Sequence, residues 1–106
     1  MATGRLGTAN LSAATNTTVY TVPSTTFTVA TISICNRSNS AVTCRVAIAS
    51  VATPTADEWI EYDTEILPKG VLERTGLVLD TGKYLVVWSN AANVNAVAFG
   101  IETPTA

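Results

Sequence analysis

FTVATISICN-RSNS-AVTCRVAIAS, residues 27–50, is the stretch that decides the fold. Two runs of β-branched and small residues flank a short polar link. In the second run Val42, Cys44, Val46 and Ile48 alternate with Thr43, Arg45, Ala47 and Ala49, the period of a strand with one buried face. In the first run Ile32 and Ile34 share a face, with Phe27 and Val29 in the opposite phase. A bulge near Ala30 would bring both pairs to one side, because one inserted residue reverses the alternation. Asn36 to Ser40 supplies turn residues. The expectation is a long antiparallel hairpin at the centre of an all-β domain.

Outward from the hairpin, the punctuation is regular. Thr17 to Val22 is a short strand stopped by Pro23, which donates nothing to a sheet ladder. Val51 to Asp57 is a loop. Glu58 to Ile66 alternates, with Ile60, Tyr62 and Ile66 on one face and Trp59, Glu61, Asp63 and Glu65 on the other. Leu67 to Gly70 turns the chain. Val71 to Leu79 is a strand in which Gly76 marks a bulge or bend. Asp80, Thr81 and Gly82 form a tight turn. Lys83 to Ser89 and Asn93 to Ile101 follow as strands. The pattern predicts a single antiparallel β-sandwich of seven or eight strands in two sheets, jelly-roll or immunoglobulin-like. Its expected bounds are 17–102, between an N-terminal arm (1–16), small, polar and weakly patterned, and a polar tail (103–106).

Composition narrows the function. The chain has 106 residues, one domain's worth; 47% are hydrophobic, only 13% are charged, and the net charge is −2. A surface left to Thr, Ser, Ala and Asn suits a protein partly covered by partners. The six basic residues form no patch, so no nucleic-acid partner is expected. No apolar run reaches membrane-spanning length and no leader peptide is recognisable, so no membrane partner is expected either. Histidine, the commonest general base and metal ligand, does not occur. Cys35 and Cys44 fall in opposite phases of the hairpin, which favours two free thiols. Glycosylation sequons at Asn10, Asn16 and Asn36 are expected by chance in so Thr- and Ser-rich a chain.

Three constellations could carry chemistry. Glu61, Asp63 and Glu65, spaced by two, project from one side of a strand and could share a hard cation, but lack the loop of a calcium site; the plainer account is a solvated, edge-protecting face. Trp59 beside them could stack on a sugar or lie across a seam between subunits, and the seam is preferred. Asp80-Thr81-Gly82 resembles the active triplet of retroviral-type aspartic proteases, but stands too late in the chain to leave room for a flap; such a triplet is also a common turn. No base is available to activate Cys35 or a hydroxyl, and no phosphate loop is present. The expectation is no enzyme, no metal and no cofactor.

From Thr17 onward the chain resembles a class of small virion structural proteins of tailed phages, especially those of cyanobacteria and marine bacteria. The resemblance lies in Val19 to Pro23 (VYTVP), Cys35 to Arg37 (CNR), Arg45 to Ile48 (RVAI), Ile60 to Pro68 (IEYDTEILP) and Gly70 to Gly76 (GVLERTG). Ile66 departs from it, standing where the family often runs from Glu straight to Leu-Pro. The resemblance implies a non-enzymatic building block, first a capsid decoration (cement) protein. As such it would be a homotrimer on the outer shell, contacting itself and the major capsid protein. A neck, tail, baseplate or fibre component comes second and a carbohydrate-binding module third. The candidate contact residues are Arg5, Leu6 and Leu11 on the arm, with Trp59, Glu61 and Asp63 on the acidic strand.

Overall fold

Eight strands in two four-stranded antiparallel sheets make up the computed structural model, which describes residues 2–105; Met1 and Ala106, the ends of the expected arm and tail, lie outside the described residues. The strands are β1 (Thr3–Leu11), β2 (Thr17–Thr21), β3 (Thr26–Asn36), β4 (Val42–Ala49), β5 (Trp59–Ile66), β6 (Val71–Leu79), β7 (Tyr84–Ser89) and β8 (Val94–Pro104). Sheet A has the order β1-β8-β3-β6 and sheet B the order β2-β7-β4-β5. The chain is thus one long antiparallel ribbon folded about β4 and β5: β3 pairs with β6, β2 with β7 and β1 with β8. Pairs β3–β8 and β4–β7 wrap that ribbon into two layers. This winding is a jelly roll, which decides between the two sandwich types.

The expected hairpin between residues 27–36 and 41–50 does not form. β3 lies in sheet A and β4 in sheet B, and among the described residues the only connection between neighbours within one sheet is β4–β5. Periodicity tells which face of a strand is buried, not which strand lies beside it. Ile32 and Ile34 of β3 and Val42, Cys44 and Val46 of β4 are fully or almost fully buried, but they face one another across the core. Asn36 fastens the corner between them. It is fully buried, its Nδ2 donates to the carbonyls of Ser40, Ile66 and Leu67, and its Oδ1 accepts from the N–H and hydroxyl of Ser38. A sequon there is therefore closed to modification.

The alternation of β3 runs unbroken, with Thr28, Ala30, Ile32, Ile34 and Asn36 inward and Val29 exposed. The bulge expected near Ala30 belongs to the partner strand. Ala30 pairs with Leu77 and Ile32 with Arg74, so the extra residue sits in β6, where Gly76 takes a φ of +71° that glycine adopts without strain.

The stretch expected to be an arm is instead edge strand β1, paired along β8 from Thr3 to Leu11. Small residues make this possible. At Gly7 a Cβ would lie 2.1 Å from the carbonyl oxygen of Val19, so only glycine lets β1 pass this close to β2. Leu11 closes the core. The expected tail is likewise taken into the sheet, with Thr103 opposite Phe27 and Pro104 opposite Thr26.

Polar groups tie the layers together at this end too. Tyr20 of β2 reaches across the core and donates to Oε2 of Glu102, whose Oε1 accepts the Ala2 N–H at 2.8 Å. With its proton so committed, Tyr20 accepts from the Thr28 hydroxyl at 2.8 Å. Burial first, then the Glu102 bond, pushes Tyr20 up to about 12, while the Tyr20 and Ala2 bonds hold Glu102 below the usual carboxylate range. Among the described residues no buried side-chain nitrogen or oxygen lacks a partner.

Candidate functional site

The molecule presents two broad outer faces, and they are finished differently. On sheet B, β4 turns Arg45, Ala47 and Ala49 outward, and β7 turns Tyr84, Val86 and Trp88 outward. β5 adds its aromatics through two irregularities. Cys44 and Val46 pair with Thr64 and Glu61, and Ala47 pairs with Trp59, so β5 carries one extra residue in each interval. Asp63, in the first, has a φ of +53°, a conformation that Asp tolerates better than most residues.

The consequence is a corrected facing for the acidic strand. Tyr62, expected beside Ile60 and Ile66, is instead exposed next to Trp59, their rings 5.7 Å apart at 71°. Arg45 lies between two aromatic faces, 4.1 Å from the Tyr62 centroid and 4.0 Å from that of Trp88. Its Nε donates to Asp63 Oδ1 at 2.6 Å and its Nη2 to Oδ2 at 3.3 Å, bonds that raise the guanidinium further above its ordinary value. Beneath this layer Ala47, Ala49 and Val86 are fully buried, with Trp59 and Tyr84 packed on them. An open hollow of about 380 Å³ lined by Ala56, Trp59 and Tyr62 adjoins it. The loop holding Ala56 is fixed by Glu58, whose carboxylate accepts the N–H groups of Ser50 and Thr55 and is held below its ordinary pKa, first by the Thr55 bond. Ring faces beside fixed polar groups are suited to flat, partly apolar ligands or to a protein surface.

Glu61 is turned away from this face. It accepts from Arg74 Nη1 and from the Thr64 hydroxyl, so it links edge strand β5 of sheet B to edge strand β6 of sheet A. The three carboxylates expected on one side therefore diverge: Glu61 to Arg74, Asp63 to Arg45, and Glu65 outward opposite Thr43. Among the described residues no group of three or more His, Cys, Asp or Glu side chains could hold a metal ion. Asp80 is exposed in the β6–β7 turn, where the bond from Lys83 Nζ at 3.0 Å lowers its pKa. Cys35 and Cys44 are free; burial pushes the Cys44 thiol up.

The outer face of sheet A has no such cover. Ile101, Val29 and Val78 sit opposite one another across β8, β3 and β6, with Phe99 next along β8 and Val71 further along β6. These five side chains are 38–65% exposed. The strand residues that carry charge on this face are Arg5, on edge strand β1 opposite Phe99, and Glu73, on edge strand β6 opposite Ser33.

The structure brings together few of the residues singled out in the sequence. Trp59 and Asp63 lie on the outer face of sheet B and Arg5 on that of sheet A. Leu11 is in the core, and Leu6, partly buried, packs against it. Arg45, Tyr62 and Trp88 on one face, and Val29, Val78, Phe99 and Ile101 on the other, went unrecognised. The opposite phase of Phe27 and Val29 was the available signal for the second group. Comparison with known proteins adds nothing further: no family model, no curated protein and no solved structure matches the chain.

Proposed function

We propose that this chain is a non-enzymatic structural subunit of a tailed-phage particle, a capsid decoration protein that seats on the major capsid protein and stiffens the shell. The observation that carries the reading is the uncovered apolar face of sheet A, since an exposed patch spanning several strands marks a surface that is covered on assembly, whether by a second copy of the chain or by another subunit. The fold adds an analogy: eight-stranded jelly rolls recur in viral capsids, although they recur in lectins as well. Added contact area across joints between shell subunits stabilises the assembled state by mass action.

Quantitative mass spectrometry of purified particles tests the reading. A decoration protein is expected at copy numbers on the order of hundreds, as repeated shell symmetry requires. A handful of copies assigns it to the neck, tail, baseplate or a fibre, and its absence from particles removes the proposal. A second reading, a carbohydrate-binding module, has one specific observation behind it, the hollow beside Trp59 and Tyr62. It requires glycan-array signals that Trp59→Ala abolishes, and a blank array ends it.

A further inference from the structure

We infer that the outer face of sheet A is a self-docking surface on which a second copy of this chain packs face to face, related by a two-fold axis that runs along the strands between β8 and β3. The axis follows from the arrangement of the face. Apolar side chains occupy the two central strands and β6, while the charged strand residues stand on opposite edges, Arg5 on β1 and Glu73 on β6, and one further cation, Arg37, lies at one end of the face on Asn10 and Asn95. A two-fold along the strands lays each β8 over the other copy's β3 and each β1 over the other copy's β6. An isologous contact of this kind makes every pairing twice.

The charges then complement each other. Arg5 is level with Phe99 and Thr31, and Glu73 with Ser33, two residues along the strand. That offset is roughly 7 Å at the usual strand rise, within the span of an arginine side chain. Arg45, Arg74 and Lys83 have carboxylate partners within the chain; among the described residues Arg5 and Glu73 have no salt-bridge partner, and nor do Arg37 and Lys69, which donate to neutral oxygens instead. The alternative charge-matched pairing, sheet A on the outer face of sheet B, would set Arg5 and Glu73 against a surface whose Arg45 and Asp63 already satisfy one another.

Size is consistent with a stable pair. Four strands about 4.8 Å apart, the longest of 11 residues, give a flat area on the order of 700 Å². A standard interface takes roughly 800 Å² from each partner, so the face is of the right order of size. The inference does not rest on the virion reading, because the pair forms in purified protein. It also differs from the homotrimer implied by the phage resemblance, since a self-complementary face closes at two copies.

Sedimentation equilibrium of the purified chain, between roughly 1 and 100 µM, is the test, in a range where an interface of standard size is populated. The expected species is a dimer. Val78→Lys should make it a monomer with an unchanged far-ultraviolet circular dichroism spectrum, whereas Tyr62→Lys, on the opposite face, should leave the dimer intact. Arg5→Glu alone should weaken the dimer about tenfold, and Arg5→Glu combined with Glu73→Arg should recover most of that loss, an outcome that neither misfolding nor a general loss of solubility produces. A wild-type monomer at 100 µM, a trimer, a Val78→Lys variant that still dimerises, or a double variant no tighter than Arg5→Glu overturns the inference. Particle mass spectrometry fails or succeeds separately from these outcomes.

Discussion

Both outer faces of this sandwich are rich in apolar side chains, yet only one is closed. On sheet B, Ala47, Ala49 and Val86 lie fully buried because Trp59 and Tyr84 fold down over them, and Arg45 is clamped between Tyr62 and Trp88. On sheet A, Val29, Val78, Phe99 and Ile101 stand open, with none of the described residues covering them. The difference originates in β5. Its two extra residues swing Trp59 and Tyr62 over sheet B, whereas the corresponding edge strand of sheet A, β6, uses its bulge for Gly76, which has no side chain to swing. A covered face contributes to the stability of the single chain; an open one contributes once something lies on it.

The severest way to break the comparison is from inside sheet A. Gly100 pairs with Ala30 at the centre of that sheet, and a Cβ there would stand 2.0 Å from the Val29 carbonyl oxygen and 2.8 Å from the Ala30 Cα. Gly100→Ala should force β8 and β3 apart and cost about 3 kcal/mol, read as a fall in the urea midpoint. Stripping the cover from sheet B comes next. Trp59→Ala exposes the packed alanines and Val86 and should cost about 2 kcal/mol, less than a fully buried Trp because this one is only partly buried.

The polar tie between the sheets gives a smaller, pH-dependent effect. Tyr20 is raised to about 12, so its contribution is fully present below its unfolded value near 10 and is lost as pH rises toward 12. Glu102 is lowered, so its contribution is present above an unfolded value near 4.3 and fades as pH falls through the lower folded value. Tyr20→Phe should flatten the alkaline limb of a melting-temperature profile. It should also make the acid limb shallower, since the Tyr20 bond is the main reason that Glu102 is low. An unchanged alkaline limb would place the titrating group elsewhere. The smallest effect sharpens the contrast between faces: Val78→Thr should change the stability of the dilute chain by less than about 0.5 kcal/mol, the ordinary range for a surface position. A cost near that of Trp59→Ala would mean that the sheet A face is already covered.

Strand limits were legible because Pro23, Gly70, Gly82 and the polar clusters punctuate a β-rich chain, and the alternation of Val42 to Ile48 named the face of β4 that meets the core, but not that Ala47 and Ala49 on its other face are buried as well. Neighbours were not legible. Asn36 to Ser40 has a hairpin's length and composition, but the buried Asn36 side chain makes it a corner between layers. Alternation also fails where bulges intervene: Tyr62 shares its parity with Ile60 and Ile66 yet faces the other way, because Asp63 absorbs a residue in a left-handed conformation. β1 was missed for a different reason. Gly4, Gly7, Thr8 and Ala9 look like a weak terminus, and only the proximity of Val19 shows why a glycine is required at position 7. The candidate site suffered most, since its ring stack joins Arg45, Tyr62 and Trp88 from three strands and no local spacing connects them.

The pairing of β1 with β8 governs the order in which the molecule can be made. Thr3 has to wait for Ile101 before it has a neighbour in the ladder, and β3 lacks one of its two flanking strands for as long. The β4–β5 hairpin can close on the ribosome within moments of emerging, but the open apolar side of sheet A acquires its shape only after β8 has left the tunnel. Self-recognition between nascent chains is thereby postponed until each has a finished surface to offer.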